Sequence, residues 1–147
     1  MPEKKRKNPF LDGPISPEFI AGVIGKHHSQ TDGGAHAIFL GQVRADVIEG
    51  IPVEGIEYSA HTEMALDVYQ EIRETIFAKY PLLCAHVHHS LGIVPAGGIC
   101  LFVMTTSAHR NAATSACTEL VEILKKELPV WGKELFSGDR HRWKINT

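Results

Sequence analysis

From Val103 to Pro129 the chain passes from a β-branched run into a helical repeat with only Ser107-Ala108-His109-Arg110 between them. Val103, Thr105 and Thr106 read as the end of a strand over Ile99 to Thr106. Ala113, Ala116, Cys117, Leu120, Leu124 and Leu128 then form one apolar stripe, which predicts a helix from Asn111 to Leu128, stopped by Pro129. Links this short are too tight for parallel crossovers. Because strands and helices nonetheless alternate along the chain, the expected class is α+β, with a mixed, mainly antiparallel sheet and packed helices. The same junction puts His109 and Arg110 where a helix presents unpaired N–H groups. Lys125 and Lys126 sit near its other end and Lys133 just beyond. Such an arrangement suits anions.

The remaining elements follow from punctuation and period. Residues 1–14 read as a flexible tail, with charge first and then Pro9, Gly13 and Pro14, ahead of a single domain over 15–147. Ser16-Pro17-Glu18 opens a short helix that fades near His28. Ala35 to Arg44 reads as a strand in which Gly41 marks a bulge or a close backbone approach. A loop to Pro52 leads to a strand from Val53 to Tyr58, then to a helix from Thr62 to Lys79 ended by Pro81. Cys84 to His89 is a further strand, joined through Pro95-Ala96-Gly97-Gly98 to the strand that begins at Ile99. After Pro129, short strand and turn pieces run through Ser137-Gly138-Asp139 to Trp143.

Charge and composition narrow the partners. The net charge is -2, but residues 1–7 hold Lys4, Lys5, Arg6 and Lys7 against Glu3 alone. The rest carries about -5, which argues against nucleic acid. No apolar stretch could span a membrane, and none resembles a signal peptide. Cys84, Cys100 and Cys117 are odd in number and widely spaced, as expected of reduced thiols in a cytoplasmic protein.

Among single residues, Lys126 has Glu122 four positions earlier, the order of a solvated helix pair. Lys125 has Val121 there and lies at the margin of the apolar stripe, where a lysine either snorkels or projects into a cleft. Arg44 ends its strand three residues after Gly41, which would let a ligand approach the backbone. His86 and His88 share a strand face and His89 points away, which reads as a half-exposed polar strand rather than a metal centre. Neither metal nor cofactor is expected. No P-loop, dinucleotide fingerprint, GxSxG or HExxH occurs. Scattered cations without paired carboxylates favour a phosphorylated or otherwise anionic substrate.

Three blocks in this order resemble the large, catalytic subunit of molybdopterin synthase from about Gly34 to Trp143. They are Phe39-Leu40-Gly41-Gln42-Val43-Arg44, Thr106-Ser107-Ala108-His109-Arg110, and Leu124 through Glu134 (LKKELPVWGKE). The resemblance implies a hammerhead-like α+β domain forming a homodimer within a heterotetramer. It also implies a small ubiquitin-like partner whose C-terminal Gly-Gly tail, charged as a thiocarboxylate, delivers sulfur to cyclic pyranopterin monophosphate. The product would be the dithiolene of molybdopterin, making the chain a sulfurtransferase of molybdenum cofactor biosynthesis. By the same likeness Gln42, Val43, Arg44, His109, Arg110, Gly132 and Glu134 would meet substrate. Lys125 would be the essential pocket lysine. The family's second lysine directly follows the tryptophan, where this chain has Gly132, and Lys133 is the candidate to replace it. The alternative is a non-enzymatic subunit that binds an anionic metabolite and a partner tail. Finally, Arg110 and Lys125 are 15 residues apart on one predicted helix, roughly 22 Å at 1.5 Å per residue. One small substrate meets both only if two chains share a site.

Overall fold

The strand Ile99–Ser107, β7 in the chain order below, is buried along nearly its whole length and organises the elements around it. The computed structural model describes residues 6–137 and 140–144. In chain order it contains β1 (Phe10–Asp12), α1 (Pro17–Gly25), β2 (Ala35–Gln42), β3 (Val47–Ile48), β4 (Ile51–Pro52) and β5 (Gly55–Ala60). There follow α2 (Thr62–Lys79), β6 (Leu82–Pro95), β7, α3 (Arg110–Glu127), β8 (Val130–Leu135) and β9 (His141–Trp143). The main sheet runs β2-β7-β6-β5-β8-β9 with every pair in that path antiparallel, while β1 lies parallel to β6. The fold is thus the mixed, mainly antiparallel α+β architecture expected.

Alternation along β7 explains the layering. Leu101 and Val103 join Tyr69, Ile72 and Ile76 of α2 and Ala116, Leu120 and Leu124 of α3 in one core. Phe102 and Met104 point to the other face, where Ile15 and the α1 residues Ile20 and Val23 cover them. Each such side chain contributes about 1.5–3 kcal/mol on burial, so a strand covered on both faces anchors the domain. Among the described residues, no helix is long and apolar enough to cross a membrane.

Several boundaries differ from the sequence reading, each for a physical reason. The stretch expected as a tail is built into the sheet from Phe10. β1 pairs with His89, Ser90 and Leu91, and Arg6 reaches α2 to pair with Glu63 at 2.9 Å and Asp67 at 2.6 Å. Lys4 and Lys5 lie outside the described residues. The expected loop before Pro52 contains the β3–β4 hairpin, in which Glu49 (φ 52°) and Gly50 (φ 79°) make the doubly left-handed turn that suits a two-residue hairpin. β6 continues past His89 to Pro95. It pairs with β7 up to His89 and with β5 from Gly92, whose φ of 82° sits at the changeover. β2 ends at Gln42 rather than Arg44, and its register shifts between Gly41 and Gln42, where a bulge or a close backbone approach was expected. Of the expected terminal turn, Gly138 and Asp139 lie outside the described residues.

At the end of β7, Gly34 precedes β2 and its N–H donates to the Ser107 carbonyl at 3.0 Å. A Cβ at Gly34 would collide with the carbonyl oxygen of Ala108. A larger residue there would push the His109–Arg110 turn off the start of β2.

Candidate functional site

The last turn of α3 and the first half of β8 enclose a cleft of about 130 Å³. Pro129 forces the chain out of the helix and straight into β8, so Lys125 from α3 and Gly132 from β8 face the same space. Leu101, Leu124 and Leu128 form its apolar floor, and Tyr58 of β5 and His89 of β6 its polar wall. Lys144, just past β9, closes the other side, held there by its N–H donating to the Gly132 carbonyl at 2.8 Å. Gly132 keeps the cleft open. A Cβ at this position would point at Tyr58, 3.3 Å from ring carbon Cε1, and lie 3.0 Å from Ile56 Cγ2. No acidic side chain lines the cleft among the described residues and two lysines do, a setting suited to a small anion.

Burial tunes the wall. It raises the Tyr58 phenol well above its ordinary pKa, assisted by the neighbouring Cys100 thiol, so Tyr58 stays a neutral hydroxyl. Burial lowers His89 to about 4, with Lys125 pushing the same way. Its Nδ1–H donates to the Ser90 carbonyl at 2.8 Å, which fixes the tautomer and leaves Nε2 as the acceptor. His89 therefore stays neutral in the folded chain below the pH at which an unfolded histidine takes up a proton, about 6.5. This contributes stability that is present above that value and lost as pH falls from about 6.5 towards 4. The urea midpoint of the native chain is expected to drop between pH 7 and pH 5, and to drop less in His89→Gln. The same slope in both proteins would contradict this reading of His89.

The other residues picked from sequence separate into distinct groups. Lys133 is on the opposite face of β8 from Gly132, because side chains alternate along a strand. It pairs with Glu57 at 3.2 Å across β5 and lies 5.8 Å over the Trp143 ring. Lys133 thus does not line the cleft beside Gly132 in this chain. Glu134 does share the face of Gly132 but is only 4% exposed, and its carboxylate is held by Arg142 at 3.2 Å. Val43 is a core residue whose N–H donates to Gly98 at 2.9 Å and whose carbonyl accepts from Gly97 at 2.8 Å. Gln42 is exposed at the end of β2, and Arg44 just beyond is exposed and 3.2 Å from Asp46.

His109 and Arg110 are exposed at the start of α3. His109 is the N-cap residue but makes no side-chain cap, so the first N–H groups of the helix stay open for another acceptor. Since α3 is one continuous helix from Arg110 to Glu127, the roughly 22 Å between Arg110 and Lys125 stands. Within one chain the structure gathers Lys125 with Gly132 and leaves His109 and Arg110 at the far end of α3.

Sequence reasoning passed over Lys144, Tyr58 and His89. Tyr58 was taken only as the end of a strand, and His89 only as the histidine that points away from His86 and His88. That last observation already placed it on another face. Lys144 carried no signal, because its position depends on pairing between β8 and β9.

The chain matches the MoaE protein family over residues 14–127. It is 34% identical to the molybdopterin synthase catalytic subunit of Aspergillus niger, over 80% of this chain and 65% of that relative. It thus spans just under two thirds of the relative's length. A crystal structure of molybdopterin synthase from Staphylococcus aureus superposes with a TM-score of 0.81 at 26% identity, covering 97% of this chain and 99% of that one. A complex of subunits 1 and 2 of the molybdopterin-converting factor from Helicobacter pylori shares the fold at a TM-score of 0.77 and 16% identity. It covers 91% of this chain and 87% of that one.

Proposed function

The chain belongs to the MoaE protein family, and on that premise we propose that it is the catalytic subunit of a molybdopterin synthase. It takes sulfur from the thiocarboxylated C-terminus of a small ubiquitin-like subunit and passes it to cyclic pyranopterin monophosphate. Two transfers complete the dithiolene of molybdopterin, and each leaves the carrier's tail as a carboxylate. The observation that carries this reading is the cleft in which Lys125 and Lys144 flank the space left by Gly132. A Gly-Gly tail has no side chains to clash with a narrow wall, and its anionic end suits two ammonium groups. Sulfur arrives on the partner, so none of Cys84, Cys100 and Cys117 has to act in the transfer, and none of them is in a disulfide.

The working unit in this proposal is a homodimer that binds two small subunits. The cleft of about 130 Å³ is below the roughly 300–1,000 Å³ of ordinary small-molecule sites, so one chain supplies part of a pocket. β2 ends the sheet, and Ile38, Phe39 and Leu40 on it are 42%, 36% and 44% exposed. An open apolar edge of this kind favours pairing with a second copy. The register supports a shared site. Ala35 of β2 pairs with Ser107, next to His109 and Arg110, whereas Gly41 pairs with Leu101, on the floor of the Lys125 cleft. Antiparallel contact of two β2 edges about a two-fold axis would bring the His109–Arg110 end of one chain towards the Lys125 end of the other. Arg110 and the open N–H groups of α3 would then hold the substrate phosphate.

Reconstitution tests the reading. Mixing this chain with a thiocarboxylated small subunit and cyclic pyranopterin monophosphate is expected to yield dithiolene. The carrier's tail should be converted to carboxylate at two per product. Binding of the pterin and the tail without any transfer would replace this reading with that of a non-enzymatic subunit.

A further inference from the structure

On the face of the sheet opposite the cleft, three metal-ligating side chains converge. His27 follows α1, and Cys84 and His86 are two residues apart on one face of β6. His27 Nε2 is 3.1 Å from Cys84 Sγ and 3.0 Å from His86 Nε2, and the three ligand atoms lie within 4.8 Å of one another. All three residues are half-buried, which leaves room for a solvent ligand.

The hydrogen-bond geometry is that of a ligand set. His27 Nδ1 donates to the Val23 carbonyl at 2.8 Å, so its Nε2 carries a lone pair aimed at the cluster. That single lone pair faces both a thiol and an imidazole nitrogen and can accept from only one of them. Lys7 and Arg73 lie near enough to His86 to act on its charge. An ion drawing on all three lone pairs resolves the competition. A tetrahedral site with bonds of about 2.0–2.3 Å needs its ligand atoms roughly 3.3–3.6 Å apart, a few tenths of an ångström wider than the two distances from His27 Nε2.

We propose that His27 Nε2, Cys84 Sγ and His86 Nε2 bind one zinc-class ion, with water at the fourth position, clipping the turn after α1 to β6. On binding, the Cys84 thiol releases its proton to solvent and the thiolate becomes the ligand, leaving a net charge of +1 for zinc. That thiolate offsets the positive charge of nearby Lys7 and Arg73, which would repel a dication held by neutral ligands alone. The mixed sulfur and nitrogen set selects zinc or a similarly soft ion over magnesium or calcium. The site is separate from the cleft and does not rest on the sulfur-transfer reading.

The full chain, reduced and freed of metal by chelator, would be titrated with cobalt(II) and then with zinc. One cobalt per chain is expected, with a thiolate-to-cobalt charge-transfer band that zinc abolishes. Cys84→Ser should lose the band, and His27→Gln should weaken cobalt binding at least about tenfold. Zinc should raise the Tm of the native chain and not that of His27→Gln, each read against its own metal-free Tm. Three results would each overturn the proposal. They are no charge-transfer band in the native chain, a band that survives in Cys84→Ser, and an equal zinc-induced Tm rise in His27→Gln.

Discussion

Lys125→Ala is expected to lower dithiolene formation about 100-fold or more while leaving the fold intact. Lys125 is exposed in the last turn of α3 and outside the apolar core, so its removal takes no packing with it. Loss of a cation near the helix C-terminus by itself costs about 0.3–1 kcal/mol of stability. In the cleft the same ammonium faces the position proposed for the thiocarboxylate and for the charge that develops when its sulfur departs. Lys126 is the matched control. It is also exposed in the last turn of α3, but it does not line the cleft. Lys126→Ala should cost a few tenths of a kcal/mol in stability and leave turnover within about twofold. Sulfur transfer and urea midpoints measured on both variants separate the two roles, and equal losses of activity would remove the distinction.

The second large effect is expected at Lys144, where the sequence pointed to Lys133. Alternation along β8 sends Lys133 to the Glu57 and Trp143 side and Gly132 to the cleft, and Lys144 lies against Gly132. A hydrogen bond to a charged group is worth about 1.5–3 kcal/mol, so Lys144→Ala should weaken tail binding or turnover roughly 10- to 100-fold. Lys133→Ala gives up a partly exposed ion pair and a cation–π contact, about 1 kcal/mol of stability, and should keep near-normal kinetics. Steady-state kinetics at varied carrier concentration would show which lysine serves the pocket. Loss in Lys133→Ala with none in Lys144→Ala would mean that β8 presents its other face to the substrate.

What the sequence made legible was local. α2 begins and ends where period and proline placed it, at Thr62 and Lys79, because its apolar spacing and its breaker agree. α3 likewise follows from one stripe and one proline. The Gly41 bulge was legible because a glycine inside a strand has few other uses. What escaped depends on pairing between distant segments. β1 was read as tail because Pro9, Gly13 and Pro14 dominate its composition, and it is a strand only because β6 offers it an edge. The proposed pocket was half legible. Lys125 stood out at the margin of its stripe, but Lys144 reaches the cleft through β9 and Tyr58 through β5. The His27 cluster divides in the same way. Cys84 and His86 were two residues apart in plain sight, and His27 joins them only after α1 has packed on Phe102 and Met104.

The central claim is that one active site is built from two chains, with Arg110 of one protomer facing the cleft that holds Lys125 of its partner. Arg110→Ala and Lys125→Ala proteins, each inactive alone, would be mixed and allowed to exchange subunits, with exchange verified independently. Each mixed dimer then carries one site with both residues intact and one with neither. At equal amounts and free exchange half of the dimers are mixed, so dithiolene formation should recover to about one quarter of the native rate. Activity that stays at the level of the separate variants after verified exchange would contradict a shared site.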